Sequence, residues 1–504
     1  CSLPNFPKNA MGGVESAAVE DVVDVAIIGN GPSALALAAA LSGLVPEVRP
    51  KTTVSDPQVS DFVRRWGGKA LDEIKLPGNS EEFQIPKRRC LNPMAAVIDT
   101  LRYPEGDGRG QSLLRYGQLK PSLRHTVIGS GPAGGSWQSM SPSTVTLSPG
   151  SWMDLPGYSL MDHLRGGSAS QEAHDLQHYY GSAESLVAAR VPRWLVAEYY
   201  STYAQRLTSS EFLTGTVQSM EKDDGIWKLQ ISVPGEEADH CSIIKARAVA
   251  LATGTADVPR RLGVPGEDLE FVTHRPPIHH QALVAKMRHL LVVGAGLSAA
   301  DAILHALGFE DVRVTHVFRK KPADTKIGKM FGSTSAASMY RDEEWLAQLM
   351  RREISDPRYT VKAESQLQEI LDDGTCIIKT KEGEDRIQEV SVVALLLGAG
   401  PSLHFLPPSL RRAQRPEPFV PLTRTDGQPS SHPYFLEVNP DTLQLADART
   451  GQVLHKDVFA LGPLRGDNFI RFLIGDAFVV RQQLEELRSP SRHVDGETAV
   501  SSKE

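Results

Sequence analysis

Residues 23–41 read VDVAIIGNGPSALALAAAL, an apolar run that stops at a glycine-bounded turn and resumes as an Ala/Leu-rich segment. The first run is short and β-branched, as expected of a strand buried on both faces, and the second has the length and composition of a buried helix. Gly29, Gly31 and Ala34 fall in a G-x-G-x-x-A spacing across the strand-to-helix junction. In that context each residue has a task. Gly29 permits the tight turn, Gly31 lets a pyrophosphate approach the backbone, and Ala34 is small enough for close helix packing. The helix N-terminus, with Ser33 in its first turn, then points its free amides at the phosphates. The spacing predicts a dinucleotide-binding unit; a glycine turn with no ligand is the competing reading.

Residues 289–307, HLLVVGAGLSAADAILHAL, repeat the arrangement with Gly294, Gly296, Ser298 and Ala299. Two such junctions in one chain are far more specific than one. Past the second helix the segment VRVTHVF ends in Arg319, Lys320 and Lys321. NAD-binding folds tend to carry an acidic residue there for the ribose 2′-OH, whereas a basic end favours the 2′-phosphate of NADPH. A solvated charge run is the alternative. A third G-x-G-x-x-G, at Gly129, Gly131 and Gly134, is followed by Gly135-Ser136-Trp137 and soon by Pro142 rather than by an apolar helix. Without a helix N-terminus it has no amides to offer a phosphate. Residues 126–128 are therefore expected to form the second strand of the first unit, with Gly134, Gly135 and Trp137 in a loop closing over a cofactor.

Working outward, apolar runs at 22–28, 126–128, 249–252 and 290–293 each end at glycines or turns, which points to a parallel sheet in an α/β fold. The run 392–397, followed by Gly398 and Gly400, reads as another such strand. Short alternating pieces between 211 and 247 suggest an antiparallel meander, and 193–207 and 469–487 suggest long helices. Segment 45–124 is rich in Pro, Gly and charge and reads as an insertion; only 93–101 looks helical, with Asn92 as cap and Pro93 in first position. Both ends of the chain lack a buried face and are expected to be loose. No internal repeat and no low-complexity tract is apparent.

The chain has 504 residues, about three domain-equivalents by length, with 54 Lys and Arg against 61 Asp and Glu. A net charge of −7 gives no basic field for a nucleic-acid partner. No apolar stretch approaches a membrane span, so the expectation is an intracellular, cytoplasmic protein. Cys1, Cys90, Cys241 and Cys376 are too far apart for a CxxC redox pair and show no metal spacing, which argues against a disulfide reductase. His274, His279 and His280 form the closest histidine group, but without a Cys or carboxylate at metal spacing they read as loop residues, and no metal is expected.

Taken in order, the GNGPSA turn, the GGSW loop, Ala252-Thr253-Gly254, the GAGLSAAD turn and the closing GPLRGDNFIRF resemble the flavin-dependent monooxygenases. More closely, residues 22–487 resemble the oxidative stress-induced growth inhibitor family, in IIGNGPS at 27–33, TLSPGSWM at 146–153, VPGE at 264–267, and Gly462-Pro463-Leu464 with Gly466-Asp467-Asn468-Phe469. The resemblance implies a monooxygenase-like fold, a role in growth, differentiation and cell death, and NADPH-dependent monooxygenase activity. Carried over by position, Gly29, Gly31, Ser33 and Ala34 would hold the FAD pyrophosphate, Gly134, Gly135 and Trp137 would lie against the flavin, and Gly254 would mark a chain crossing. Gly294, Gly296, Ser298 and Ala299 would hold NADPH, with Arg319 and Lys320 at its 2′-phosphate. Gly462, Asp467 and Asn468 would set a helix N-terminus beneath the flavin pyrimidine edge; Asp467 serves equally as an ordinary N-cap.

The sequence departs from the pattern in places. The acidic residue expected at the end of the second FAD strand is replaced by Ile128-Gly129-Ser130, leaving Glu47 or Asp56 as substitutes. The signature F-x-G-x-x-x-H is reduced to Phe271-Val272-Thr273-His274. The fold expectation is two dinucleotide-binding, Rossmann-like domains: a discontinuous FAD domain of 22–285 and 396–487, an NADPH domain of 286–395 inserted in it, and disordered ends at 1–21 and 488–504. Function is expected to be FAD- and NADPH-dependent oxygenation of an unidentified small molecule by O2. The alternative is a flavin-binding regulator that acts through protein partners.

Overall fold

Strand β1 (Val22–Ile28) runs through the middle of a seven-stranded sheet, and the residues that place it there are Val25, Ala26, Ile27 and Ile28, all buried. The computed structural model describes residues 22–50, 57–71, 92–105, 111–119, 123–235, 241–331, 340–416 and 434–488. β1 pairs in parallel with β2 (His125–Gly129) on one side and with β6 (Cys241–Leu251) on the other. β3 (Glu211–Thr214) extends the parallel side beyond β2, which differs from the all-antiparallel expectation for 211–247. The rest of that segment, β4 (Thr216–Asp223) and β5 (Ile226–Ser232), joins β6 as an antiparallel meander.

A second sheet is wholly parallel. Its order is β7 (Val272–Thr273), β11 (Val392–Leu395), β8 (His289–Val293), β9 (Arg313–Phe318) and β10 (Tyr359–Ala363). Between β10 and β11 the chain makes a three-stranded antiparallel meander over Gln366–Ile370, Cys376–Lys379 and Glu384–Ile387. After the second sheet the chain returns to the first, where β12 (Val458–Ala460) pairs in parallel with β6.

Helix α1 (Pro32–Leu41) is buried from Ser33 to Leu41, so it has no solvent face to polarise. Leu35, Leu37 and Leu41 are wholly enclosed, each contributing about 2 kcal/mol of burial. α1 shares a core with the sheet and with the last helix, α6 (Ile470–Arg488), through Ile470, Leu473, Ala477, Val480 and Leu484. The long helices expected at 193–207 and 469–487 are α4 (Arg193–Arg206) and α6.

Segment 45–124 has more structure than its composition suggests. Leu44–Val48 and Leu114–Gln118 pair antiparallel, and α2 (Pro57–Trp66) packs with α3 (Pro93–Arg102) around Val59, Phe62, Val97, Ile98 and Leu101. Glu47 thus does lie on a strand, but its Oε2 accepts from Arg115 Nε (2.7 Å). The pairing escaped local reading because its strands are about as far apart in sequence as a small domain is long, and neither has a hairpin turn. Asn92 caps α3 as expected, its Oδ1 accepting from the amides of Met94 and Ala95 (2.8 and 3.2 Å). α3 seats on α6 so closely that a Cβ on Gly475 would stand 2.1 Å from Ala95 Cα. The expectations for 1–21, 489–504 and Asp56 lie outside the described residues, while Arg488 ends α6.

Candidate functional site: two glycine turns and the N-terminus of the last helix

The two G-x-G-x-x-A junctions have the same hydrogen-bond frame. Gly29 N–H donates to Ile128 O (2.7 Å) and Ala252 N–H to Ile28 O (2.8 Å), tying the turn after β1 to the ends of both neighbouring strands. Gly294 N–H donates to Val317 O (3.0 Å) and Leu396 N–H to Val293 O (2.8 Å), doing the same after β8. Gly29 has φ +112° and Gly294 φ +123°, and a Cβ on either would stand 2.3 Å from a carbonyl oxygen, of Ala252 or of Leu396. Only glycine meets both the dihedral and the distance. The repeat seen in the glycine spacing is thus present in the backbone geometry as well.

Each turn opens a helix whose first-turn amides no side chain caps. Gly31 is the N-cap of α1, and Gly296 is the N-cap of α5 (Leu297–Leu307); neither helix has an acidic residue in its first turn. Such an end attracts an anion, because the unsatisfied amides and the helix dipole act together. At Gly296 a Cβ would meet nothing within 4 Å, and at Gly31 the nearest atom is Gly135 Cα at 3.9 Å. Ala34 and Ala299 are fully buried against their sheets, whereas Ser298 is exposed.

The first turn gathers most of the residues expected around one cofactor. Gly134 N–H donates to Asn30 O (2.9 Å), and a Cβ on Gly135 would stand 2.9 Å from Gly31 Cα, so the Gly-Gly loop lies directly on the turn. Trp137 packs edge-on to Tyr200 of α4 with ring centroids 6.5 Å apart. Gln138 and Arg193 clamp this loop to α4: Gln138 Nε2 donates to Ala197 O (3.0 Å), and Arg193 Nη1 donates to Trp137 O and Gln138 O (3.2 and 3.1 Å). Gly462 packs against Ser33, since a Cβ there would stand 2.3 Å from Ser33 Oγ, and Asp467 N–H donates to Gly462 O (3.2 Å). Gly254 follows the crossing from β6, with φ +74° and open space beside it. Asn468 is exposed next to Asp467 at the head of α6.

The buried polar atoms around this cluster that have no protein partner include Thr253 Oγ1, Trp152 Nε1, Arg193 Nε and Asp467 Oδ2. Trp152 stands edge-on to Phe469, beside Asp467 and Asn468, with ring centroids 6.3 Å apart. Unsatisfied buried groups next to an uncapped helix end suit a polar ligand. The residues present therefore fit a dinucleotide bearing a polar ring system.

Sequence reasoning passed over the residues that hold these turns in shape. Asn30 Nδ2 donates to Gly131 O (2.6 Å), and the same side chain fills the space beside Gly129. That accounts for the third glycine motif without a third nucleotide. Behind the second turn lies buried His316. Its Nε2 donates to Gly294 O (2.6 Å), which leaves Nδ1 to accept from Tyr359 O–H (2.8 Å), and burial pushes its pKa down to about 4. A histidine within the strand run VRVTHVF, next to buried Thr315, was the available signal. Arg319 and Lys320 lie exposed at the end of β9, as the spacing indicated. His274 does have a carboxylate partner, contrary to expectation: its Nε2 lies 2.8 Å from buried Glu267 Oε1, which also faces the amide of Leu262 (3.0 Å). Among the described residues no group of three His, Cys, Asp or Glu is placed to hold a metal, and no helix is long and apolar enough to cross a membrane. Cys376 is buried and its thiol is pushed up to about 12.

The chain is 31% identical to mouse oxidative stress-induced growth inhibitor 1, in a match covering 94% of this chain and 98% of the mouse protein. It belongs to the oxidative stress-induced growth inhibitor family. Within that family member, residues 181–425 match the model described as pyridine nucleotide-disulphide oxidoreductase. Among solved structures, the chain is similar to the bacillithiol disulfide reductase of Bacillus cereus, with TM-score 0.55, 15% identity, and 93% and 100% of the two chains covered. It is also similar to a flavin monooxygenase from Stenotrophomonas maltophilia, with TM-score 0.50, 16% identity, and 93% and 99% covered. At these identities the likeness is one of mixed α/β fold.

Proposed function

We propose that this growth inhibitor is an FAD- and NADPH-dependent, monooxygenase-like oxidoreductase that acts within the cell to regulate growth, differentiation or death under oxidative stress. The observation that carries the reading is the duplicated glycine turn: two strand ends with one hydrogen-bond frame, each opening an uncapped helix. On this reading β1–β6 with β12 form a discontinuous FAD domain over 22–285 and 396–487, and β8–β11 form an NADPH domain over 286–395. FAD would supply the redox chemistry, accepting hydride from NADPH and passing electrons to O2.

The chain's own part is binding and placement. Gly31 and the α1 amides would take one pyrophosphate, and Gly296 and the α5 amides the other. Arg319 and Lys320 would take the 2′-phosphate. The Gly134–Gly135 loop, held by Arg193 and Gln138, would close over the flavin side. Arg190 Nη2 pairs with Glu343 (2.6 Å), and Tyr340 O–H donates to Leu147 O, so the β8–β11 unit is tied to the loops of the first unit. Growth-inhibitor and monooxygenase neighbours support this reading, and the small-molecule substrate follows from it.

One observation favours the second reading, a flavin-binding regulator with little turnover that works through protein partners. The end of β2 carries Ile128-Gly129-Ser130 where an acidic ribose ligand belongs, and the side chain of Asn30 occupies the space beside Gly129. The purified protein decides between them. A flavin spectrum bleached by NADPH, with O2 consumed on reoxidation, is the expected result. A yellow protein that NADPH does not bleach leaves the regulator; a colourless protein that FAD does not reconstitute ends the cofactor reading.

A further inference from the structure

Two buried ion pairs bracket the head of α6, and a carboxyl between them has no cation bonded to it. Arg465 Nη1 donates to Asp476 Oδ1 (2.6 Å), and Arg471 donates from Nε and Nη2 to the two oxygens of Asp99 (2.5 and 2.7 Å). Asp467 is 4% exposed; its Oδ1 accepts a long bond from Phe469 N–H (3.3 Å), and its Oδ2 has no partner. The charged groups that face it are Arg465 on the turn before α6, Asp476 on α6, and Asp99 on α3. Behind these, Arg102 of α3 donates to Arg471 O (3.3 Å) and faces Asp154. With every group ionised, Arg102, Arg465 and Arg471 stand against Asp99, Asp154, Asp467 and Asp476, leaving one uncompensated negative charge away from water. A buried lone charge is disfavoured strongly enough that one carboxyl keeps its proton.

The geometry selects which carboxyl that is. Asp99 and Asp476 have arginine partners, and Asp154 Oδ1 accepts from Leu160 N–H (2.8 Å) with Arg102 nearby. Asp467 has neither. Burial first, and then the charge of Asp476, push it up to about 7, against the pull of Arg465. Burial also raises Asp154, to about 6, and Asp476, whose Oδ2 likewise has no partner, which makes these two the competitors to exclude.

We propose that Asp467 is the exchangeable proton site of this buried Arg–Asp cluster, and that it takes up a proton from water when the redox group at the head of α6 gains negative charge. The second half rests on the FAD reading above. The balance is simple: a hydride brings two electrons and one proton, hence one negative charge, and one proton moves from water to Asp467 Oδ2. The same proton leaves on reoxidation, and no bond in the protein is broken.

Two measurements test the two halves. Infrared titration of the purified protein should show a protonated-carboxyl band lost around pH 7, lost at a lower pH in Asp154→Asn, which removes the surplus negative charge, and missing in Asp467→Asn, with Asp467→Ser used should the Asn variant not fold. A band that survives unchanged in the Asp467 variants, or is absent at every pH from Asp154→Asn, overturns the assignment. With FAD bound, anaerobic reduction by NADPH in the presence of a pH indicator should take up one more proton per flavin in wild type than in Asp467→Asn at about pH 8, and the same number at about pH 5. Equal uptake at the higher pH overturns the coupling. A wild-type chain that holds no FAD ends the FAD reading and the coupling with it, while the infrared result still decides the proton site.

Discussion

Replacing Gly29 and Gly31 singly by alanine separates what the first turn does for the fold from what it does for a ligand. At Gly29 the new Cβ would stand 2.3 Å from Ala252 O, and the residue would have to keep φ +112°. Ordinary contact begins beyond 3.4 Å, and both partners are backbone held by strand hydrogen bonds, so neither yields cheaply. The left-handed backbone costs about 1–2 kcal/mol and the overlap about 1–3, a total of roughly 2–5 kcal/mol. At Gly31 the nearest atom is 3.9 Å away and φ is −77°, so alanine costs the fold nothing and stiffens the unfolded chain slightly. Thermal melting with flavin absorbance as a second signal reads both. Gly29→Ala should melt roughly 5 °C or more below wild type. Gly31→Ala should melt with wild type yet, on the proposed FAD reading, retain FAD about tenfold less well, since its methyl group would stand where the pyrophosphate would approach. A Gly29→Ala protein as stable as wild type refutes the close approach; a Gly31→Ala protein that keeps its flavin refutes the ligand role of the turn.

Three further outcomes follow from other parts of the site. His316 is held neutral by burial, with its pKa lowered from 6.5 to about 4, so the folded state binds fewer protons than the unfolded one across that interval. Stability should therefore fall as pH drops from about 6.5 to 4, by about 3 kcal/mol at most, and His316→Gln should flatten the slope of melting temperature against pH. Asp99→Ala strands Arg471 in the interior and should cost about 3–5 kcal/mol; a double-mutant cycle with Arg471→Gln should recover part of the loss, and additive effects would show that the pair is not coupled. Arg319→Ala with Lys320→Ala should weaken NADPH binding about 10- to 100-fold and leave NADH unchanged, as titration of the reduced cofactor would show.

Growth-inhibitor membership, the two strand-glycine-helix junctions and the long closing helix were legible in the chain because each is a local pattern. Burial on both faces makes β1 and β8 continuous apolar runs, and a backbone that must pass within contact distance of its neighbour admits only glycine at Gly29 and Gly294. Asn92 before Pro93 announces α3 for the same reason, since a cap acts within three residues. What could not be read locally was pairing across distance. The strands Leu44–Val48 and Leu114–Gln118 pair although α2 and α3 separate them along the chain, and Asp99 reaches Arg471 across most of the chain. His316 looked like any polar residue in a strand until the strand was placed beneath Gly294 O.

The sequence by itself determined where the backbone must turn, which segments are buried on every side, and which family the chain resembles. Only the tertiary structure decided which charges share the interior. Asp467 reads in sequence as an N-cap. It becomes a proton-holding group because folding buries it beside Arg465, Asp476 and Asp99, commits Arg465 to Asp476 and Arg471 to Asp99, and leaves its Oδ2 without a partner. Turn geometry is a property of a few consecutive residues, whereas electrostatic balance in a low-dielectric interior is a sum over everything that folding brings near.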